Sequence, residues 1–388
     1  MKVLMFHNDY RLAGGETKSV RSEVANLLKQ GVEVELAMRS TPASLGIREA
    51  VDIVLTGRSA ADEAATLIRR FEPDVIHVQN IWPGWGHGLI RAIGNSGVPY
   101  VQTLRNYRWT CLSANHFRNG SACFDCSKSA TAVSGVMHKC YRSSRTESAA
   151  LALHDVNLRL ARSGAQPSAI ILLSDEMRRV VVPTISPLLP VVVKYNSLDP
   201  EPTPLNGIKS GMVWVGRLEQ EKGFDLVSEA WSRWPSKIPF TIIGDGQLAA
   251  SAQSLQMSFP DSVTWYPELN HHATIERIAS SQFAIMLPRW SEPFGRVALE
   301  CLSVGTPVLH SGRGALPEVV GDSGWAVDCD IDTVVDQLDR CVVESAGLRV
   351  GARSRYEQSF SAAQTTSQLM RLYASVAAAG KPQGERNG

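Results

Sequence analysis

The chain has 388 residues, of which 44% are hydrophobic and 20% charged; this is the composition of a folded protein of about two domains, not of a disordered or fibrous chain. The net charge of +1 conceals an asymmetry, with 23 Lys+Arg against 16 Asp+Glu in residues 1–195 and 16 against 22 in the rest. Apolar runs such as 170–173 and 180–182 are far too short to span a membrane, and residues 1–6 lack a signal-peptide core, so a cytosolic protein is expected.

In chain order, residues 3–6 read as a first strand, 17–29 as a helix and 32–37, after Gly31, as a second strand. A strand at 75–78 follows Pro73-Asp74, a helix ends near Gly97, and 98–103, 169–173 and 191–194 read as further strands. Strands alternating with helices predict a parallel sheet covered on both faces. Pro200, Pro202, Pro204 and Gly207 mark 196–210 as a linker. The pattern then restarts: strand 211–215, helix 224–234, and strands 240–243, 263–266, 283–287, 306–310 and 324–327. A helix over 355–378 precedes a disordered tail of about eight residues. The expectation is α/β: two Rossmann-like doubly wound domains, 1–195 and 211–354, facing a cleft, with ligands at the carboxyl ends of strands. Residues 355–388 are expected to pack back towards the first domain.

Chemistry concentrates in four segments. Two acids, Glu292 and Glu300, bracket a turn through Pro293, Phe294, Gly295, Arg296 and Val297, where a strand should give way to a helix. Amides at a helix N-terminus suit a phosphate, Gly295 allows close backbone approach, and a carboxylate accepts hydrogen bonds from two vicinal hydroxyls. Gly216-Arg217 with Lys222-Gly223 puts two cations on the turn after another strand. Ala13-Gly14-Gly15-Glu16 is a glycine turn after the first strand, and Gly-x-Gly-x-x-Gly is not present there. Arg105, Asn106 and Tyr107 follow the strand at 98–103.

Together these segments resemble the retaining glycosyltransferases of family 4, which have the GT-B fold, over nearly the whole chain. The resemblance implies that Glu292 contacts the donated sugar and Glu300 the ribose, with amides near Phe294, Gly295, Arg296 and Val297 meeting sugar and diphosphate. It gives Arg217 and Lys222 the departing diphosphate, whose growing charge fixed cations stabilise most in the transition state. Gly14 and Gly15 would lie near donor phosphate and acceptor, and Gly244-Asp245-Gly246 fits the nucleotide-side turn. Many relatives have a His where this chain has Arg105; a guanidinium cannot shuttle a proton, so Arg105, Asn106 and Tyr107 are expected to shape acceptor or donor binding. His77 and Gln79 are given no chemistry.

The reaction implied is transfer of a hexose-type sugar from a UDP- or GDP-type donor, with retention, to a glycan or lipid-diphosphate-linked acceptor in cell-envelope or exopolysaccharide synthesis. No cofactor is required for catalysis. A non-catalytic nucleotide-sugar-binding scaffold and a nucleotide-sugar epimerase stand as alternatives. Cys111-x11-Cys123-x2-Cys126-x13-Cys140 admits three readings: a structural zinc, reduced thiols or a redox disulfide. The apolar and basic stretch 142–162 reads either as a helix on anionic lipid, at the inner face of the membrane, or as one packing on its own sheet. The basic half likewise reads as a surface for an anionic partner or as solvated charge; with no nucleic-acid module recognisable, nucleic acid is not expected.

Overall fold

Val3, Leu4, Met5 and Phe6 are fully buried along β1 (Lys2–Asp9), as a strand covered on both faces requires. In this computed structural model, which describes residues 1–9, 15–40, 46–129, 131–198 and 209–380, the chain divides into two units. One comprises Met1–Asn115, Phe124–Tyr195 and Ala362–Gly388, the other His116–Cys123 and Asn196–Ser361.

The first unit runs β1, α1 (Gly15–Lys29), β2 (Glu33–Ser40), α2 (Ile47–Val51), α3 (Arg58–Phe71), β3 (Val75–Val78), α4 (Gly86–Ser96) and β4 (Tyr100–Leu104). A short hairpin, β5 (Phe117–Arg118) and β6 (Ser121–Ala122), belongs to the second unit. The first resumes with α5 (Val133–Met137), α6 (Arg145–Gly164), β7 (Ala169–Leu172), α7 (Asp175–Val181) and β8 (Val191–Val193). Its sheet is parallel, in the order β2-β1-β3-β4-β7-β8. The second unit continues with β9 (Met212–Val215), α8 (Phe224–Arg233), β10 (Phe240–Ile243), α9 (Ala249–Ser258), β11 (Val263–Tyr266), α10 (His271–Ser280) and β12 (Phe283–Met286). It ends with α11 (Arg296–Ser303), β13 (Val308–His310), α12 (Leu316–Val320), β14 (Gly324–Ala326) and α13 (Ile331–Ser359). The order β11-β10-β9-β12-β13-β14, again parallel, completes it.

Both orders contain a reversal: the chain leaves β1 and β9 towards one side and later returns on the other, at β3 and β12. In such sheets ligands bind outside the carboxyl ends of the two strands flanking the reversal. That rule directs attention to the turns after β1 and β3, and after β9 and β12.

The single helix expected over 355–378 is two helices, α13 and then α14 (Ala362–Gly380). Phe360 is fully buried at the break, and Ser361 forms a parallel bridge with Leu198, contacts that a continuous helix would prevent. The last helix returns to the first unit, where Leu369, Tyr373 and Val376 complete the core around Val3, Met5, Val101 and Ile171. Residues 112–137, between β4 and α6, contain the β5–β6 hairpin and α5. The linker's Pro200, Pro202, Pro204 and Gly207 lie outside the described residues, as do residues 381–388 of the tail.

Candidate functional site

In the second unit the two strands flanking the reversal each deliver one charged side chain. After β9 the backbone turns through Gly216 and a short 3-10 turn, Gln220–Lys222, and Gly223 starts α8 with φ +76°. A Cβ on Gly223 would stand 2.0 Å from the Leu287 carbonyl oxygen, so only glycine lets this turn lie against the end of β12. The Arg289 amide donates to the Glu221 carbonyl at 2.9 Å, and the Arg289 guanidinium pairs with Asp225 at 2.8 Å; both bonds tie the turns together.

Across this seam Lys222 Nζ donates to Glu292 Oε2 at 2.8 Å, and the ammonium lies 4.7 Å from the centre of the buried Trp290 ring. Both partners are largely covered, with side-chain exposures of 23% for Lys222 and 12% for Glu292. Arg217 is more open and pairs with Glu219 at 2.6 Å and Glu221 at 3.0 Å. Burial, ahead of the opposing Arg217 charge, pushes Glu219 above the usual carboxylate range.

Glu292 is followed by a sharp entry into α11. Gly295 is the N-cap, with φ +88°, and a Cβ there would stand 2.6 Å from Leu316. Phe294 is buried edge-on against Phe360, with ring centres 5.9 Å apart. Arg296 and Val297 open α11, whose first turn has amides that helix geometry leaves without carbonyls of its own. Glu300, one turn along, is buried and accepts from Arg296 Nε at 3.1 Å. Lys222 and Glu292, 70 residues apart in sequence, are therefore joined directly, and Arg217 and Glu300 are each held by a neighbour on their own segment.

The first unit builds a buried polar cluster at its own reversal. Glu23, on α1, pairs with Lys194, just after β8, at 2.8 Å and with Arg105, just after β4, at 3.7 Å. Gln79 bridges them: its Nε2 donates to Glu23 Oε1 at 2.7 Å, and its Oε1 accepts from Arg105 Nε at 3.0 Å. Burial alone would raise Glu23, but Lys194, with His77 and Arg105, holds it down at about 2. His77 sits between Tyr373 Oη at 2.5 Å and Thr103 Oγ1 at 2.7 Å, and burial lowers it to about 4. Nearer the glycine turn, Asn106 Nδ2 donates to Glu16 Oε1 at 3.0 Å, and burial raises Glu16. His7, lowered to about 4 by burial and then by Arg105, contacts Thr17 Oγ1 at 2.9 Å.

Of the expected acceptor-side residues, Arg105 and Asn106 belong to this cluster. Tyr107 does not present its side chain as expected: it is fully buried, and its carbonyl anchors the turn by accepting from the Cys111 amide at 2.8 Å. Gly15 is the first residue of α1, and Gly14 lies outside the described residues. Sequence reasoning missed Glu23 and Lys194. A signal existed, since Glu16 and Glu23 fall at helical spacing on the same stripe of α1 as the buried Val20 and Leu27.

Cys111, Cys123, Cys126 and Cys140, read as zinc ligands, reduced thiols or a redox disulfide, are spread over both units. All four are half-buried, but among the described residues no three His, Cys, Asp or Glu side chains gather as a metal ion requires. Cys123 instead closes the β5–β6 hairpin, its amide donating to the His116 carbonyl at 2.7 Å, whereas Cys126 opens a separate 3-10 turn.

Comparison with known proteins adds to this geometry. Residues 199–350 match the model of the family described as Glycosyl transferases group 1. The D-inositol 3-phosphate glycosyltransferase of Mycobacterium tuberculosis is 29% identical over 178 residues, 42% of this chain and 36% of that protein. The match thus spans little more than a third of such a relative's length. Among solved structures, sucrose-phosphate synthase from Thermosynechococcus elongatus superposes with a TM-score of 0.69 at 15% identity, covering 97% of this chain and 99% of that one. Anabaena HepE, solved in complex with UDP and glucose, gives 0.64 at 16% identity over 97% and 100% of the two chains. The architecture is therefore that of the GT-B glycosyltransferases, two Rossmann-like parallel-sheet domains.

Proposed function

We propose that this chain is a glycosyltransferase, moving a sugar from a nucleotide-sugar donor of UDP or GDP type to a hydroxyl acceptor with retention at the anomeric carbon. The observation that carries the reading is the Lys222–Glu292 pair, 2.8 Å apart at the strand reversal of the second unit and beside the first turn of α11. A departing nucleoside diphosphate gains negative charge as the glycosidic bond breaks, and a fixed ammonium stabilises that charge more in the transition state than before it. With Lys222 drawn to the diphosphate, the Glu292 carboxylate can accept hydrogen bonds from sugar hydroxyls. Arg217, more than half exposed on its side chain, can add a second positive charge. Glu300, oriented by Arg296, is assigned the ribose. The family match over residues 199–350 supports the assignment of this unit to the donor, and a neighbour solved with UDP supports the nucleotide.

The acceptor is assigned to the first unit, as a glycan or lipid-diphosphate-linked molecule of cell-envelope or exopolysaccharide synthesis. Peripheral membrane contact from the cytoplasmic side belongs to the same proposal. Helix α6 turns Leu151, His154 and Leu158 inward but leaves Leu153, Val156 and Leu160 exposed, and the same helix carries exposed basic Arg145 and Arg159. Among the described residues no helix is long and apolar enough to cross a membrane.

Release of nucleotide from a panel of UDP- and GDP-sugars, with and without a lipid extract, tests the reading. Release that depends on Lys222 and Glu292 is expected. Nucleotide release that survives both Lys222→Ala and Glu292→Ala would sink the assigned site.

A further inference from the structure

Helix α13 buries one side and shows the other. Val334, Leu338, Cys341, Ser345, Ala352 and Tyr356 turn into the second unit. On the opposite side Arg340, Val343, Gly347, Val350, Ser354 and Glu357 recur at alternating steps of three and four residues, which makes one straight seam along a helix. The seam is about 26 Å long. Val343 is 81% exposed and Val350 71%; Arg340, Gly347 and Glu357 are exposed too, and Ser354 is half-covered.

Facing water, this composition is costly. It leaves apolar surface uncovered, and glycine and β-branched valine are residues that a solvent-facing helix disfavours. A Cβ on Gly347 would meet no atom of the described residues within 4 Å, and the same holds for Gly351. Neither glycine is therefore required by a close approach within the described chain. Against another helix the same residues fit, because a glycine lets the two axes come close and a valine opposite fills the space.

The order of residues along the seam says which helix. Two antiparallel copies of α13, with a two-fold axis between Leu348 and Arg349, set Gly347 of each against Val350 of the other. The next layers pair Val343 with Ser354, and the end layers pair Arg340 with Glu357. A parallel pair in register would instead stack Arg340 on Arg340 and Glu357 on Glu357. The seam is complementary to itself in the antiparallel sense and not in the parallel one.

The end charges are already oriented within the chain. Arg340 Nε donates to Glu344 at 2.9 Å, and Trp325 Nε1 donates to the same carboxylate at 2.8 Å. Arg353 Nε donates to Glu357 at 2.6 Å. Docking would join these pairs at each end into one row, Glu344–Arg340–Glu357–Arg353, and such networks contribute more than isolated surface pairs.

We infer that the exposed face of α13 is a self-association surface on which a second copy of this chain docks antiparallel. The inference does not depend on what the chain transfers. One pair of helices this long lies below the roughly 1,200–2,000 Å² of standard interfaces, so association is weak, with half-dimerisation at about 10–100 µM.

Sedimentation equilibrium of the full chain from about 1 to 500 µM tests this. A monomer–dimer equilibrium is expected. Val350→Asp puts a carboxylate into both central layers and should weaken it by about 30-fold or more. Because Val350 is exposed, the melting temperature of the dilute variant should match wild type, which separates lost docking from lost folding. Arg340→Glu and Glu357→Arg each set like charges at both ends and should each weaken the dimer about 5-fold or more. The two substitutions together restore opposite charges and should recover most of the association. A monomer at every concentration, or a dimer indifferent to Val350→Asp, overturns the surface. Charge reversals without mutual rescue overturn the antiparallel pairing. A chain that stays monomeric but binds anionic vesicles through this face overturns the second copy as its occupant.

Discussion

Glu23→Gln keeps the shape of a buried side chain and removes its charge, which makes its cost calculable in two ways. Glu23 lies 2.8 Å from Lys194, 3.7 Å from Arg105 and 3.6 Å from His77. Holding this carboxyl at about 2 rather than 4.5 corresponds to about 3 kcal/mol of stability. Independently, removing one partner from a buried ion pair costs about 3–5 kcal/mol, because Lys194 and Arg105, only 5% and 7% exposed, would keep their charges without the carboxylate. Both routes give a loss of about 3 kcal/mol at pH 7. Because the folded-state value is depressed, the contribution is fully present above pH 4.5 and disappears as pH falls towards 2, where wild type and variant should converge. Urea unfolding read by hydrogen exchange on peptides covering Val75–Val78 isolates the first unit from the second. A loss below about 1 kcal/mol at pH 7, or a difference that persists unchanged to pH 2, would refute the reasoning.

Lys222→Ala should reduce nucleotide release by about 10²–10³-fold in initial-rate assays. Gly295→Ala should weaken donor binding, measured by UDP titration, and lower the melting temperature, because its φ of +88° and a Cβ 2.6 Å from Leu316 strain both the backbone and the α12 contact. His7, His77 and His310, each lowered to about 4 by burial, favour the neutral folded state; thermal scans should therefore show stability falling as pH drops from 6.5 towards 4, and a flat profile would contradict this. A structural zinc on Cys111, Cys123, Cys126 and Cys140 predicts one equivalent by elemental analysis that disappears on Cys126→Ser; well under one equivalent would leave reduced thiols or a disulfide.

Local patterns carried much of the fold. The strands at 75–78, 240–243 and 263–266 were readable to the residue because short runs of β-branched, aromatic and apolar residues bounded by turns leave a strong local pattern. The break at Phe360 was not readable, since the flanking residues favour helix and the cause is a bridge to Leu198, far away in the chain. At the donor side, Gly223 and Gly295 announced their turns through the absence of a Cβ, and both charged partners stood in recognisable strings. At the acceptor side the information is distributed: Glu23, Gln79, Arg105 and Lys194 come from four separate segments and meet only once the sheet order is known. Tyr107 misled for the converse reason, because a polar aromatic after a strand looks like a ligand contact until burial is known.

The return of α14 to the first unit has a consequence for biosynthesis. Residues 196–361 lie between the last strand of the first sheet and the helix whose Leu369, Tyr373 and Val376 cover it. At ribosomal speeds of about 5–20 residues per second, the first-made sheet waits on the order of ten seconds or more with an apolar face uncovered. The second unit, made later, can close its core earlier. In the cell, the part of the chain that emerges first is therefore the part that needs shelter longest.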